Sequence, residues 1–118
     1  MTLEAHEKAV QIAKIGLENG GMELMILDMR KVMDITDYFV ICHGRSKLHC
    51  QALAEHISEE MEQQGAYIKH SEGLKEGIWI ILDYLDVVVH IFEEEARTFY
   101  DLRRLWVDAT EVEVPELA

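Results

Sequence analysis

The chain is poor in the residues that interrupt or staple a backbone. Its 118 residues hold one proline, Pro115, and seven glycines. Long disordered linkers are therefore not expected, and no internal repeat of about 20 to 50 residues is visible. The two cysteines, Cys42 and Cys50, form no Cys-x-x-Cys pair, which leaves reduced thiols as the expectation. No stretch reaches about 18 consecutive apolar residues, so no membrane span is expected. The opening "MTLEAHEKAVQIAKIG" lacks the apolar run of a signal peptide. Cytoplasmic location follows as the default. Basic residues are scarce, with 11 Lys and Arg against 23 Asp and Glu and a formal charge of −12. That balance argues against wrapping nucleic acid, because neutralising phosphates requires clustered Lys and Arg. It permits a basic protein partner, and it equally serves solubility.

What is present is a core. Apolar residues make up 49% of the chain, enough for one domain of ordinary size. Residues 2–19 read as a helix: Thr2 can cap it, Ala5, Ala9, Ile12, Ala13 and Gly16 recur at helical spacing, and Gly20–Gly21 end it. "MELMILDM" (22–29) fits a buried strand and "DYFVICHG" (37–44) a second. Ser46 can cap a helix over 47–64, with Cys50, Leu53, Ile57 and Met61 as its buried stripe and Gly65 as its stop. "AYIKH" (66–70) reads as a short strand, so that 37–70 forms a strand–helix–strand crossover.

"GIWIILDYLDVVVHIF" (77–92) reads as a hairpin turning at Tyr84, Leu85 and Asp86. Ile78, Ile80 and Leu82 share the face expected under helices, with Trp79, Ile81 and Asp83 opposite. A short helix is expected near 99–106, glued to the sheet by Phe99, Leu102, Leu105 and Trp106. The fold class is α/β: a single domain with a mixed sheet of about five strands flanked by helices. The domain is expected over 1–109, with 110–118 an acidic tail, frayed or loosely docked.

Three kinds of chemistry can be weighed on these residues. Cys42, His43, His49, Cys50 and His56 lie within 15 residues and are all potential zinc ligands. Adjacent residues on a strand or helix diverge, however, and only His49 and His56 share a face, so no metal site is expected. Nucleotidyl transfer needs paired carboxylates for two magnesium ions. Asp83 and Asp86 straddle a turn, and Val87 and Val88 follow where a second acid is needed. "HGRS" offers one glycine, where a phosphate-cradling loop usually has more. Cys42 with His43 or His90 is a conceivable nucleophile–base pair, but His90 lies in an apolar strand and nothing places an oxyanion hole. The fourth reading is a protein-binding surface. Trp79, Tyr84, Phe99, Tyr100 and Trp106 concentrate in the last third, interleaved with Asp83, Glu93, Glu94, Glu95 and Asp101. Aromatic anchors with an acidic rim suit a basic partner.

"DYFVICHGRS", "EG…GIWIILDYLDVVVHIF" and "RTFYDLRRLW" together resemble the ribosomal silencing factor family, also called Iojap or RsfS. The resemblance spans about residues 5 to 109, with the three blocks in the family's order and spacing. It implies a nucleotidyltransferase-like α/β fold without that enzyme's activity, and no cofactor. It implies a translation repressor that binds the large ribosomal subunit through ribosomal protein number fourteen and blocks joining with the small subunit. It also implies a homodimer when free; the run lengths and the charge already leave no membrane contact, and no nucleic-acid contact beyond incidental ribosomal RNA, as the expectation. Carried onto this chain, partner-binding residues would be Trp79, Ile81 and Asp83 on the outward strand face, Glu94, Glu95 and Arg97 beyond it, and Tyr100, Asp101 and Arg104 on the final helix. Two positions depart from the family pattern: Leu85 replaces a common turn glycine, and Arg103 a common acid. The alternative is a nucleotidyltransferase-like nucleotide-binding enzyme on the same scaffold. A third reading is a dimeric scaffold whose aromatics serve only self-association.

Overall fold

A computed structural model describes residues 3–95 and 109–115. The chain runs α1 (Ala5–Glu18), β1 (Met22–Asp28), β2 (Tyr38–Gly44), α2 (Lys47–Gln63), β3 (His70–Glu72), β4 (Trp79–Asp83), β5 (Val87–Glu93) and β6 (Thr110–Val112). Among the described residues the six strands form one mixed sheet in the order β3-β4-β5-β2-β1-β6. The α/β class stands, with one strand more than expected.

The centre of the sheet is where the apolar density of the sequence puts it. Every residue of β2 is buried, and β2 pairs in parallel with β5, matching Tyr38 to Val87 and Ile41 to His90. Strands covered on both faces read as continuous apolar runs, which is how both segments read. One face lies under α1 and α2. There Ile12, Val40, Cys50, Leu53, Ile57, Ile80, Leu82 and Ile91 make the main core. On the other face Leu27, Met29, Phe39, Ile41 and Phe92 form a second cluster, with Val32, Met33, Trp79 and Val88 packed against it.

The caps of α2 act as expected. Ser46 Oγ accepts the His49 N–H at 3.1 Å, and Gly65 beyond the helix has φ +83°, a conformation glycine adopts at little cost. α1 differs: its N-cap is Glu4, with no side-chain capping bond, rather than Thr2. Lys8 was not anticipated as a core residue, yet it is 8% exposed. Its Nζ meets Asp86 Oδ1 at 2.8 Å, tying the first turn of α1 to the β4–β5 turn. Burying an ammonium group is tolerated because the partner and its hydrogen bond come with it.

Three other expectations are corrected. The short strand at 66–70 lies at His70–Glu72 instead and pairs with β4, Ser71 opposite Leu82. The strand–helix–strand crossover stands: from β2 the chain passes through α2 to β3 at the sheet edge, parallel to β2, with β5 and β4 filling the space between. β1 is only partly buried: Ile26 and Leu27 are inside, while its start bulges between Met22 and Met25. Ile78 is 40% exposed; it precedes the β4 ladder, next to Gly77, whose Cα lies against Lys47 in the first turn of α2. Of the two expectations for the tail, docking is the one seen: Thr110–Val112 pairs antiparallel with β1 from Ile26 to Asp28.

The hairpin turn shows what the Leu85 departure costs. Asp86 N–H donates to the Tyr84 carbonyl at 3.1 Å around Leu85, whose φ is +75°. This is a γ-turn in its strained, positive-φ form. Asp83 Oδ1 holds it by accepting the Leu85 N–H at 2.7 Å. Replacing Leu85 by glycine removes strain of about 1 kcal/mol and loses part of that to unfolded-state entropy. Urea denaturation of Leu85→Gly should therefore show stability unchanged or raised by up to about 1 kcal/mol. A loss of that size would mean that Leu85 packs in a way the turn geometry does not require.

Candidate functional site

The antiparallel hairpin sets the site's register. Trp79 stands opposite Phe92, Ile81 opposite His90, and Asp83 opposite Val88. Side chains at alternate positions share a face, so Trp79, Ile81 and Asp83 join Val88, His90 and Phe92 away from the helices. Trp79, Ile81, Asp83 and Val88 are half-buried, whereas His90 and Phe92 are buried beneath them.

Trp79 is fixed in place rather than loosely presented. Its ring stacks on Phe92 at 5.2 Å between centroids. Its indole N–H donates to His90 Nδ1 at 3.1 Å. That bond settles the tautomer: Nδ1 accepts, so the neutral ring carries its proton on Nε2. Phe39 meets the same imidazole edge-on at 4.6 Å. His90 Nε2 is buried with no hydrogen-bond partner, and burial pushes the imidazole pKa down to about 4. The ring is uncharged near neutral pH. The Trp79–His90 link follows only once the two strands are paired about a turn at 84–86, which makes them diagonal neighbours.

The remaining predicted contact residues separate into three groups. Asp83, at the hairpin end of β4, has Oδ1 committed to the turn. Glu94 and Glu95 are exposed just past β5. They lie at the Trp79 end, since Glu93 N–H donates to the Ile78 carbonyl at 2.8 Å. Arg97, Tyr100, Asp101 and Arg104 lie outside the described residues, as do Arg103 and the helix expected near 99–106.

The candidate catalytic and metal residues do not converge. Cys42 packs into the helix-side core. His90 pairs with Ile41, which points to the opposite face, so Cys42 and His90 are separated by the sheet. Cys42 and His43 also point to opposite faces, as expected. His43 Nδ1 lies 3.7 Å from Glu23 Oε2. His49 is a structural link that the sequence did not disclose. Its Nδ1 accepts the Arg45 N–H at 3.0 Å and its Nε2 contacts the Asn19 carbonyl at 2.9 Å, joining the entry to α2 with the exit from α1. Cys50 is buried, which raises its thiol pKa, and His56 is exposed. Among the described residues no group of three or more His, Cys, Asp or Glu could hold a metal ion. Asp86, the second acid of the candidate nucleotidyl-transfer pair, is engaged by Lys8.

An outward aromatic strand face, backed by a buried histidine and ending in exposed glutamates, is the arrangement to compare with known proteins. Residues 2–118 match the family model for "Ribosomal silencing factor during starvation". The chain belongs to the ribosomal silencing factor family. The ribosomal silencing factor of Bacillus subtilis is 40% identical over 74% of this chain and 74% of its own length. That of Halalkalibacterium halodurans is 35% identical over 93% of this chain and 95% of its own. A crystal structure of a Chromobacterium violaceum protein superimposes with a TM-score of 0.86 at 27% identity, covering 98% of this chain and 93% of that one. The ribosomal silencing factor resemblance in the three sequence blocks thus extends over the whole fold. No helix among the described residues is long and apolar enough to cross a membrane.

Proposed function

We propose that this protein is a cytoplasmic, non-enzymatic repressor of translation. It binds the large ribosomal subunit through ribosomal protein number fourteen and sterically blocks the small subunit from joining. Membership of the ribosomal silencing factor family across residues 2–118 is the observation that carries this reading. The site chemistry supports it. Trp79 is held rigid by Phe92 and His90, so little conformational entropy is lost when it enters a partner's pocket. Glu94 and Glu95 extend the same end of the strand with negative charge, which suits a basic ribosomal protein and speeds encounter. Asp83 and Asp86 serve the hairpin turn and the Lys8 ion pair, which accords with a scaffold that does no nucleotidyl transfer.

The partner-binding residues are proposed as Trp79, Ile81, Asp83, Glu94, Glu95, Arg97, Tyr100, Asp101 and Arg104. The free protein is proposed to be a homodimer. Light scattering of purified subunits tests the blocking step. Saturating protein, added to large subunits before small ones, should abolish most of the association signal. Undiminished association at saturation would overturn the steric reading.

A further inference from the structure

Away from the Trp79 face, α2 and the loop before β4 enclose a groove of about 430 Å³ lined by Gln51, Ala54, Glu55, Ser58, Glu59, Ile68, Leu74 and Leu82. Its walls are tied together: Gln51 Nε2 donates to the carbonyls of Leu74 at 2.9 Å and Lys75 at 3.1 Å. The floor is apolar, made by Ala54, Ile68 and Leu82. The charged side chains that line it are Glu55 and Glu59, one turn apart on the exposed side of α2. Of the lining residues, Leu74 is an exposed aliphatic, 42% accessible on the loop side.

We propose that this groove is a second docking surface, and that it takes a basic segment of a partner protein. That segment would insert one or two aliphatic side chains between α2 and Leu74 while its flanking Lys or Arg residues pair with Glu55 and Glu59. The charge pattern selects this occupant. Nucleic acid is repelled by the glutamates. A second copy of this chain, meeting itself about a two-fold axis, would set Glu55 and Glu59 against their own counterparts. A cationic segment meets both the apolar floor and the acidic rim. The proposal is independent of ribosome binding through the Trp79 face, and its test uses no ribosome.

The probe is a labelled synthetic peptide with two leucines four residues apart among lysines and arginines, alongside its leucine-to-serine counterpart. Binding is read by fluorescence anisotropy and by amide chemical shifts of the full chain. The leucine peptide should saturate, with shifts centred on Gln51, Glu55, Ser58, Glu59, Ile68 and Leu74, and should bind at least about 10-fold tighter than the serine peptide. Glu55→Lys/Glu59→Lys should lose at least about 10-fold in affinity. Glu7→Lys/Glu18→Lys, which changes the net charge equally on the exposed side of α1, should lose much less. Ser58→Trp, which fills the groove without altering charge, should also abolish saturation. Equal loss in both charge variants, equal binding of both peptides, or the absence of saturable binding would overturn the proposal. So would self-association, measured by sedimentation, that Ser58→Trp abolishes, since the groove would then belong to a second copy.

Discussion

Trp79→Ala will weaken binding to the large ribosomal subunit by at least about 30-fold, or about 2 kcal/mol, the usual loss for a central aromatic anchor. The effect has two sources. The half-buried indole is the largest side chain on the outward face of β4, so its removal takes away contact area. It also loses the stack on Phe92 and the hydrogen bond to His90, leaving both His90 ring nitrogens without a protein partner. Trp79→Phe separates these sources, because it keeps an aromatic over Phe92 but has no N–H for His90. It should bind between wild type and Trp79→Ala. Titration of fluorescent protein against large subunits gives the constants, and circular dichroism checks that both variants fold. Binding by a folded Trp79→Ala equal to wild type would move the contact surface elsewhere.

The second large effect concerns pH. The folded state keeps His90 neutral down to about pH 4, whereas an unperturbed histidine titrates at 6.5. As pH falls between these values the unfolded chain takes up a proton that the folded chain refuses. Stability is therefore complete above the unfolded pKa, declines through the window, and stays diminished below the folded pKa. The difference amounts to about 3 kcal/mol across the window. His90→Phe preserves an aromatic in the Phe39–Trp79–Phe92 cluster and removes the titrating group. It should be less stable near neutral pH, having lost the Trp79 bond, yet its stability should fall less steeply with acid. Urea denaturation at about pH 7, 6 and 5 measures both slopes. Equal slopes would mean that His90 reaches water in the folded protein.

The two effects meet in one structural device. A charged His90 cannot accept the indole N–H, since both ring nitrogens then carry protons. Acid that unfolds the protein also removes the group that orients its main aromatic. The ordering of Trp79 and the burial of His90 thus stem from the same hairpin register.

That register was legible in the sequence. Alternation over residues 78–92, with the turn at Tyr84 to Asp86, fixes which residues face together, and Ser46 and Gly65 bracket α2 through local backbone chemistry. The misses share a different cause. Nothing in "HSE" at 70–72 signals a strand; β4 imposes it by offering an unpaired edge. Thr110–Val112 reads as an acidic tail because an edge strand needs little apolar content, and β1 supplies the pairing. Lys8 is buried because Asp86, 78 residues away in sequence, is beside it in space. Each is a tertiary effect that no local window contains. The candidate site divides likewise: Trp79, Ile81 and Asp83 followed from alternation, while the bond that orders Trp79 required pairing two strands.

Co-sedimentation with purified large and small ribosomal subunits, at low and at moderate salt, tests the central claim most directly. The protein should pellet with the large subunit alone, binding should survive moderate salt, and Trp79→Ala should stay in the supernatant. Binding to neither subunit, or equal binding to both that vanishes at moderate salt, would contradict it.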